Sequence, residues 1–441
     1  MRTPIADFLF EYRSAQMTRF HMPGHKGNAF LGPEPFDITE IKGADALYEA
    51  NGIIDESEVN ASKLFGSGKT LYSTEGSSQC IRAMLYLALM AGRNATIVAG
   101  RNVHKSFIYA AALLDLNIVW LLPGSKSDSL CSCHISAETL ENTLAALPEP
   151  PAAVYLTSPD YLGGMLDIRT MADVCHRYGT ILAVDNAHGA YLHFLPEPSH
   201  PMDLGADICC DSAHKTLPVL TGGAYLHIHK ESQNLMNLDA KAAMSLFGST
   251  SPSYLILASL DMCNDYLAGE FRNSLRSTVN VLDDLRLKLN RAGWETIDSD
   301  PLKLTIKAPF GMKGSDLADS LRANCIECEY ADNDYLVLMV SVENSMNDFD
   351  KLMFALGENK LPYNDDGALA IPHGERVMSV RDAVFSKQEI LNAKDSIGRI
   401  CASPTVSCPP AIPIVVSGEV VTEEALKLFD IYGIENISVV I

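Results

Sequence analysis

The sequence predicts an α/β protein with a large, mostly parallel sheet and a smaller α/β region later in the chain. Between about residues 70 and 230, short apolar segments bounded by turn residues alternate with amphipathic helical segments, which is the pattern of strand–helix–strand crossover units. Further strand-like segments follow a long helical pattern over 253–290. The chain has 441 residues, of which 47% are hydrophobic, so it can build the cores of two or three domains.

The individual elements follow from these patterns in chain order. The first 45 residues are rich in turn residues and predict an arm. Apolar runs predict the strands of the large region at 95–99, 118–122, 153–156, 181–184, 208–210 and 224–228. Strands of the smaller region are predicted at 303–306, 325–330 and 336–341. The predicted organisation is an N-terminal arm over 1–45, a large domain over 46–275, a small α/β domain over 276–356 and a C-terminal subdomain over 357–441.

The charge balance excludes some classes of partner. There are 34 Lys and Arg residues against 55 Asp and Glu residues, so the net charge is −21. Nucleic-acid binding needs basic stripes and is not expected of so acidic a chain. No apolar run approaches the roughly 18 residues of a membrane span, and the first residues lack the apolar core of a signal peptide. We therefore expect a cytoplasmic protein that contacts neither nucleic acid nor membrane.

The cysteines predict free thiols and no metal site. Their number, 11, is odd, which favours a reduced compartment over a disulfide framework in so large a chain. Cys325 and Cys328 have the spacing of zinc ligands, and Cys131, Cys133 and His134 lie close together in sequence. A structural zinc site needs a second close pair of ligands, and Cys325 and Cys328 have none nearby.

One glycine-rich segment resembles part of a nucleotide site. Residues 65–70, FGSGKT, look like the end of a phosphate-binding P-loop. The full motif needs a glycine at the position of Lys63, and it follows a buried strand, whereas the segment before 65 is polar and helical. The sequence therefore predicts an ordinary glycine-rich turn here.

Three strand ends carry the residues that indicate chemistry. Asp185 follows one predicted strand and precedes His188, and Lys215 follows the next predicted strand. The interval of 30 residues between Asp185 and Lys215 spans about one strand–helix–strand unit, so both can face the crevice at the carboxyl ends of the strands. Ser77 and Ser78 belong to a Gly-Ser turn that begins a predicted helix, where backbone N–H groups suit a phosphate monoester.

Together these features predict pyridoxal phosphate (PLP) as a cofactor. PLP needs an anion site for its phosphate, a carboxylate beside its pyridine nitrogen and a lysine that can form a Schiff base. A desolvated lysine is easier to deprotonate, which suits that role. Each feature alone has an ordinary alternative, because Asp or Ser at such a position can simply cap a helix.

Longer motifs are spread along the chain: HMPGHKG at 21–27, EGSSQ at 75–79, RNVHKS at 101–106, VDNAHGAYLHF at 184–194, DSAHKTLP at 211–218 and STSPSYLILASLD at 249–261. In these motifs the chain resembles the ornithine/lysine/arginine decarboxylases, a family of fold-type-I PLP enzymes, and its length is similar to the short members. The resemblance implies an aspartate-aminotransferase-like large domain, a homodimer or higher homo-oligomer, and a role in polyamine biosynthesis. The implied reaction is decarboxylation of an amino acid, with arginine, lysine and ornithine as the first candidates.

The resemblance also implies roles for individual residues. Lys215 is expected to form the internal aldimine, and Asp185 to keep the pyridine nitrogen protonated. His104 occupies the position that stacks on the cofactor ring, and His188 is expected to brace Asp185 or the ring oxygen. The residues expected around the phosphate are Ser77, Ser78, Ser212 and His214.

Further implied roles concern a second subunit and the substrate. Thr250 and Ser251 match a segment that reaches the phosphate of the neighbouring subunit, which makes the site a property of a dimer. Glu419 and Asp45 lie in family-like segments and are candidates to bind a cationic substrate side chain. The chemical role of the arm motif at 21–27 stays open.

Two departures from the family pattern leave the substrate open. Gly222 and Gly223 stand where a more polar pair is usual, and Cys408 replaces the usual tyrosine, so the pocket can differ and a non-basic amino acid also fits. One alternative function is another fold-type-I activity, an aminotransferase or a lyase, which would use the same lysine. A second is a non-catalytic regulatory homologue, against which the joint presence of Lys215, Asp185 and the phosphate turn argues.

Overall fold

Helices and strands alternate through most of the chain in the computed structural model, which describes residues 1–123, 129–363, 374–406 and 412–441. Up to residue 228 the elements are α1 (Pro4–Ser14), α2 (Ile53–Phe65), β1 (Lys69–Ser73), α3 (Gly76–Ala91), β2 (Thr96–Gly100), α4 (Lys105–Leu114), β3 (Asn117–Leu121), α5 (Ala137–Ala146), β4 (Ala153–Thr157), α6 (Ile168–Arg177), β5 (Ile181–Asp185), α7 (Pro201–Leu204), β6 (Ile208–Asp211), α8 (Ala213–Thr216) and β7 (Ala224–Ile228).

The later elements begin with a run of helices and end in small sheets. They are α9 (Gln233–Met236), α10 (Ala240–Ser245), α11 (Tyr254–Ala268), α12 (Phe271–Arg291), β8 (Lys303–Lys307), α13 (Gly314–Ala323), β9 (Tyr330–Ala331), β10 (Tyr335–Met339), α14 (Met346–Leu356), α15 (Val380–Phe385), β11 (Gln388–Asn392), β12 (Thr405–Val406), β13 (Pro413–Val415), α16 (Glu423–Ile431) and β14 (Asn436–Val440). Cys408, one of the departures from the family pattern, lies outside the described residues.

The chain divides into two units, one of residues 1–93 and 168–274 and the other of residues 94–167 and 275–441. Seven strands make the main sheet; those of the first unit follow the order β1-β7-β6-β5 and those of the second the order β4-β2-β3. Strand β2 is parallel to β3 and β4, and β5 is parallel to β6. Strand β7 is antiparallel to both β6 and β1, so the sheet is mixed but mostly parallel.

The strands that position the site are buried along their whole length. Strands β6 and β7 have no exposed residue, and β5 has only its first residue partly exposed. Strands covered on both faces read as continuous apolar runs, which is why the sequence predicts them well. Each of β5 and β6 ends in an aspartate, Asp185 and Asp211, so a carboxylate stands at the carboxyl end of both parallel strands.

The second unit contains smaller sheets with their own cores. Strands β8, β10 and β9 form an antiparallel sheet against which α13 and α14 pack Leu321 and Phe349. Near the C-terminus, β11 pairs with β14, and Phe429 of α16 is buried in the adjoining core.

The structure corrects several predicted elements. The arm contains a helix, α1, that the sequence analysis did not predict, and β1 is an additional strand of the main sheet. The single helix predicted over 253–290 is two helices that break at Gly269. The strand predicted over 325–330 is reduced to Tyr330–Ala331, and its predicted first residue, Cys325, has a positive φ of 56° that an extended strand does not allow.

The glycine-rich segment after α2 is an ordinary turn, as predicted. Helix α2 precedes this segment and strand β1 follows it, which is the reverse of the strand–loop–helix order of a P-loop. Gly66 ends α2 with a positive φ of 62°, the usual left-handed C-cap.

Two further observations concern the helices and the cysteines. Within the described ranges, no helix combines the length and apolar character that crossing a membrane requires. No disulfide joins the ten cysteines that the structure describes.

Helix α1 is held at its N-terminus by a distant carboxylate. Asp261 of α11 accepts hydrogen bonds from the backbone N–H groups of Ile5 and Ala6 at 2.9 and 3.0 Å, and Ser57 donates to its other oxygen at 2.5 Å. Asp261 is fully buried. Burial raises its pKa to about 6 in spite of these donors.

We expect this carboxyl group to make stability depend on pH. Its pKa rises from 3.8 to about 6 on folding, so the folded chain binds the proton more tightly and loses stability as pH rises through this window. Relative to Asp261→Asn, the wild-type free energy of unfolding should fall by about 2 kcal/mol between pH 4 and pH 6. Urea unfolding of both proteins at several pH values measures this, and a difference that does not vary with pH would contradict it.

Candidate active site

Lys215 lies on α8, the single helical turn that follows β6, and its amine contacts a histidine. The Lys215 Nζ lies 2.7 Å from the Nε2 of His188. Only one hydrogen can lie between the two nitrogens, so one of them must accept it through an unprotonated lone pair. This contact therefore favours a lysine–histidine pair that carries at most one positive charge, as nucleophilic or proton-transfer chemistry requires.

Asp185 is the last residue of β5 and is almost fully buried, with 3% of its surface exposed. Its Oδ1 accepts a hydrogen bond from the backbone N–H of Ala187 at 3.2 Å, and the thiol of Cys210 lies at 3.8 Å. A buried carboxylate is costly unless it faces donors or a cationic group. Asp185 therefore has the placement that a partner for a protonated ring nitrogen needs.

The predicted phosphate turn is the N-terminus of α3, a helix of 16 residues. The side chain of its N-cap residue, Glu75, does not cap the helix. The Glu75 carboxylate instead accepts a hydrogen bond from the backbone N–H of Ser249. Ser212 donates a hydrogen bond to Ser77 across 2.8 Å, which joins this turn to the residue after β6. Backbone N–H groups and two adjoining hydroxyls form a donor set that suits a phosphate.

One of the two glycines that depart from the family pattern, Gly222, is required by the backbone here. Gly222 has a φ of +101°, and a Cβ at this position would lie 2.7 Å from the carbonyl oxygen of Thr74. The Gly222 carbonyl accepts a hydrogen bond from the N–H of Gly76, the first residue of α3. His214 Nδ1 donates to the carbonyl of Gly223 at 2.9 Å. A larger side chain at Gly222 would therefore displace the phosphate turn.

The sequence analysis missed Gln79, which fastens the first turn of α3. Its fully buried amide accepts a hydrogen bond from Ser73 at 2.6 Å and donates to the Tyr48 hydroxyl at 2.8 Å and the Met244 carbonyl at 2.9 Å. The available signal was a glutamine inside the EGSSQ motif, on a helix whose following residues are almost all apolar.

It also missed the buried carboxylate of Asp211. Asp211 accepts hydrogen bonds from Asn186, His200 and His227, at 2.6, 3.0 and 3.2 Å. His200, Cys209 and Asp211 lie close enough to ligate a metal ion, but the imidazole and carboxylate of this group already bond to each other. The signal for this cluster was a charged residue at the end of an apolar strand run.

The predicted residues of the first unit thus fit PLP. The phosphate donor set, the buried Asp185 and the Lys215–His188 pair all belong to that unit. His188 contacts Lys215; the implied role of His188 in bracing Asp185 or the ring oxygen stays a prediction.

The other predicted residues belong to other elements of the chain. His104 belongs to the second unit, where its Nδ1 caps α4 by accepting the N–H of Ser106 at 3.2 Å. Thr250 and Ser251 are exposed between α10 and α11. Their implied roles, stacking on the ring and reaching a neighbouring subunit, stay predictions.

The two carboxylates considered for the substrate side chain already have partners in the chain. Glu419 is buried and lies 3.1 Å from the guanidinium of Arg101, which is also buried. Asp45 accepts backbone N–H groups of four residues, namely Ala46, Asn51, Gly52 and Ile54. Burial would raise the pKa of Asp45, but these hydrogen bonds outweigh it and lower the pKa. Neither geometry supports binding of a substrate.

We therefore expect Glu419→Ala to reduce stability rather than substrate binding. The substitution leaves the Arg101 guanidinium buried without its counter-charge, which costs about 3–5 kcal/mol. The matched control is Glu389→Ala, since the Glu389–Arg399 pair at 2.7 Å is partly solvent-exposed, unlike the buried Glu419–Arg101 pair, and its loss should cost at most about 1 kcal/mol. Denaturant unfolding measures both; an increased KM at unchanged stability would instead make Glu419 a substrate ligand.

Known proteins resemble this chain in sequence and in fold. The family model described as Orn/Lys/Arg decarboxylase, major domain, matches residues 3–298. An arginine decarboxylase of Bacillus subtilis is 31% identical over 460 residues, which covers 96% of this chain and 92% of that protein.

Solved structures share the fold. The lysine decarboxylase LdcF of Francisella novicida superposes with a TM-score of 0.83 at 19% identity, over 100% of this chain and 81% of that one. Serine palmitoyltransferase of Sphingomonas wittichii matches with a TM-score of 0.56 at 14% identity, over 80% of this chain and 82% of that one. These neighbours confirm the predicted fold class, that of the fold-type-I PLP enzymes.

Proposed function

This chain belongs to the Orn/Lys/Arg decarboxylase family, and from that premise we propose that it is a PLP-dependent decarboxylase of a basic amino acid. Family membership supports the decarboxylation of an amino acid to an amine. The arginine decarboxylase of Bacillus subtilis is 31% identical to this chain, so arginine is the first substrate to test, followed by lysine and ornithine.

The contact between Lys215 and His188 carries the proposal. Its 2.7 Å distance lies within one unit of the chain, beside the end of β5 where Asp185 is buried. A lysine held against an imidazole can shed a proton to it and attack a carbonyl carbon. Such a pair therefore favours a catalytic protein over a non-catalytic homologue.

The remaining residues would bind and orient the cofactor. The phosphate would be held by the N-terminus of α3 and by Ser77, Ser78, Ser212 and His214. When bound, PLP supplies an electron sink for the pair of electrons that remains at Cα after CO2 leaves. The Asp185 carboxylate would keep a proton on the pyridine nitrogen, and His104 would hold the ring from its face.

The protein must also return a proton to the substrate. Loss of CO2 breaks the Cα–carboxylate bond and leaves its electrons behind, so the amine product forms only when Cα takes up one proton. The Lys215–His188 pair can hold that proton and take another from water between turnovers. The substrate carboxylate must stand perpendicular to the ring plane, which is a matter of orientation by the surrounding residues.

We further propose a cytoplasmic homodimer that acts in polyamine biosynthesis. Support for the dimer comes from the exposed Thr250 and Ser251, next to Ser249, whose N–H binds Glu75 at the phosphate turn of the same chain. A net charge of −21 is compatible with a cationic substrate, although solubility alone also accounts for it.

One assay tests the proposed function. The purified chain is loaded with PLP, freed of excess cofactor, and incubated separately with arginine, lysine and ornithine while CO2 and amine are measured. We expect equal amounts of CO2 and amine from at least one of them. Amino-group transfer without CO2 would favour an aminotransferase, and a chain that takes up no PLP would favour a non-catalytic homologue.

A further inference from the structure

Asp211, the last residue of β6, is a fully buried carboxylate that has no assigned role in the reaction. Its three side-chain donors are the amide of Asn186 and the Nε2 atoms of His200 and His227. Asn186 directly follows Asp185 and lies in the turn that also carries His188. The buried carboxylate therefore contacts the segment that presents two of the proposed active-site residues.

The hydrogen-bond network defines the protonation of this cluster. His200 Nδ1 accepts the backbone N–H of Met202 at 3.2 Å, so the ring hydrogen is on Nε2, which donates to Asp211. The Nε2 of His227 lies 3.2 Å from Asp211 and donates to it, and its Nδ1 lies 2.8 Å from the Thr70 hydroxyl. Burial lowers the pKa of His227. Two imidazole N–H groups thus face one carboxylate.

Asp211 is consequently an anion that only accepts hydrogen bonds. Burial alone would raise its pKa, but the two imidazole donors outweigh burial and hold the pKa well below its ordinary value. The third donor must then be the Nδ2 of Asn186, at 2.6 Å from Asp211 Oδ1. An amide facing an anion cannot rotate by half a turn without placing its own oxygen against the carboxylate.

The fixed amide determines the shape of the turn. With its Nδ2 on Asp211, Asn186 directs its buried Oδ1, which accepts no hydrogen bond, toward Gly189. A Cβ at Gly189 would lie 2.1 Å from that oxygen, so only glycine fits there. The Asn186 N–H donates to the Cys210 carbonyl at 2.9 Å, and the Asn186 carbonyl accepts the N–H of Gly189 at 2.8 Å. The same asparagine thus constrains both ends of the turn that holds His188.

We propose that Asp211 and Asn186 are positioning residues, whose hydrogen bond sets the turn over 185–189 so that Asp185 and His188 meet the cofactor and Lys215. This inference rests on the proposed function. It assigns the buried anion a task in catalysis, in addition to any contribution to stability, since a displacement of about 1 Å at a reacting group can lower a rate by about 100-fold.

Variants of nearly the same side-chain size separate the effect of the Asn186–Asp211 hydrogen bond from the effect of side-chain volume. Asn186→Asp replaces the donor by a second carboxylate at the 2.6 Å contact. Asp211→Asn turns its amide nitrogen toward that of Asn186, because its oxygen is needed by His200 and His227, and the two amides then repel. The double variant Asn186→Asp with Asp211→Asn restores one amide donor facing one carboxylate, with the roles exchanged. Asn186→Ser removes the amide donor without adding charge, and its shorter side chain cannot span the 2.6 Å contact to Asp211 in the same way.

The control is a buried asparagine away from the turn. Asn264 of α11 is also fully buried and donates through Nδ2 across 2.6 Å, to the Tyr72 hydroxyl. Asn264→Asp should lower the melting temperature and leave kcat and the cofactor spectrum as in the wild type.

The variants are compared as PLP-loaded proteins by three measurements: the melting temperature, the absorbance and circular dichroism of bound PLP across pH, and kcat and KM for the amino acid that the wild type decarboxylates. We expect each single variant to lower kcat at least about tenfold with a smaller change in KM, and to shift the pH at which the bound-PLP spectrum changes. The double variant should recover at least half of the loss on a logarithmic scale.

Two results overturn the inference, and they are distinguishable. If the single variants have a lower melting temperature but the wild-type kcat and PLP spectrum, the Asn186–Asp211 contact only stabilises the fold. If Asn186→Asp does not fold, the same comparison is made with Asn186→Ser. A wild type that takes up no PLP overturns the proposed function itself, and the inference with it.

Discussion

Replacing Lys215 by Ala is expected to abolish the visible absorbance that PLP acquires when attached to a lysine amine. The variant should retain no decarboxylation above about a thousandth of the wild-type rate, because the amine that attacks the cofactor is lost together with one partner of the 2.7 Å contact to His188. The measurement is an absorbance spectrum after excess PLP is removed, together with CO2 release.

The control is a lysine of the same unit outside the proposed site. Lys69 Nζ donates to the backbone carbonyl of Met236 at 2.8 Å, so Lys69→Ala removes a lysine of similar burial and should keep both the spectrum and the rate. A visible band that persists in Lys215→Ala would show that another amine binds PLP and would reject the assignment of Lys215.

Replacing Asp185 by Asn is expected to lower kcat by at least about 100-fold while PLP still binds. The amide has the size of the carboxylate but carries no charge, so it cannot keep a proton on the pyridine nitrogen, and the ring becomes a poor electron sink. Asp185 is 3% exposed, so solvent cannot replace the missing charge. The test compares kcat and the amount of bound PLP in the variant and the wild type.

Asp203→Asn serves as the control for this prediction. Asp203 also belongs to the first unit and binds a histidine, His193, at 2.8 Å, but it is partly exposed and lies outside the turn over 185–189. Its loss should change kcat less than about threefold. Equal kcat values in Asp185→Asn and the wild type would remove Asp185 from the reaction.

The parts of the site that the sequence predicted are those encoded locally. Asp185 and Lys215 each follow a continuous apolar run, and the strand ends of a parallel sheet lie at one edge, so their placement follows from periodicity and topology. Ser77 lies in the first turn of the apolar helix α3, where the polarity of the helix alone favours an anion.

The parts that escaped prediction depend on contacts between distant residues. Helix α1 is capped by Asp261, more than 250 positions away, and nothing near residue 4 indicates this. The Lys215–His188 contact depends on how two separate turns pack. Glu419 was considered for the substrate because of its segment, but its partner Arg101 is 318 positions earlier in the chain. Local pattern carries no information about such pairs.

The first unit is formed by two separate stretches of the chain, residues 1–93 and 168–274, and this affects how it folds during synthesis. The hydrogen bond between Ser77 and Ser212 joins positions 135 residues apart, and the intervening residues 94–167 belong to the other unit. During translation the phosphate turn therefore leaves the ribosome long before the lysine that completes the site, and closing so long a loop is slow. Cofactor uptake by the nascent chain should consequently begin only after β7 has been synthesised, which makes PLP binding a readout of the maturation of the first unit.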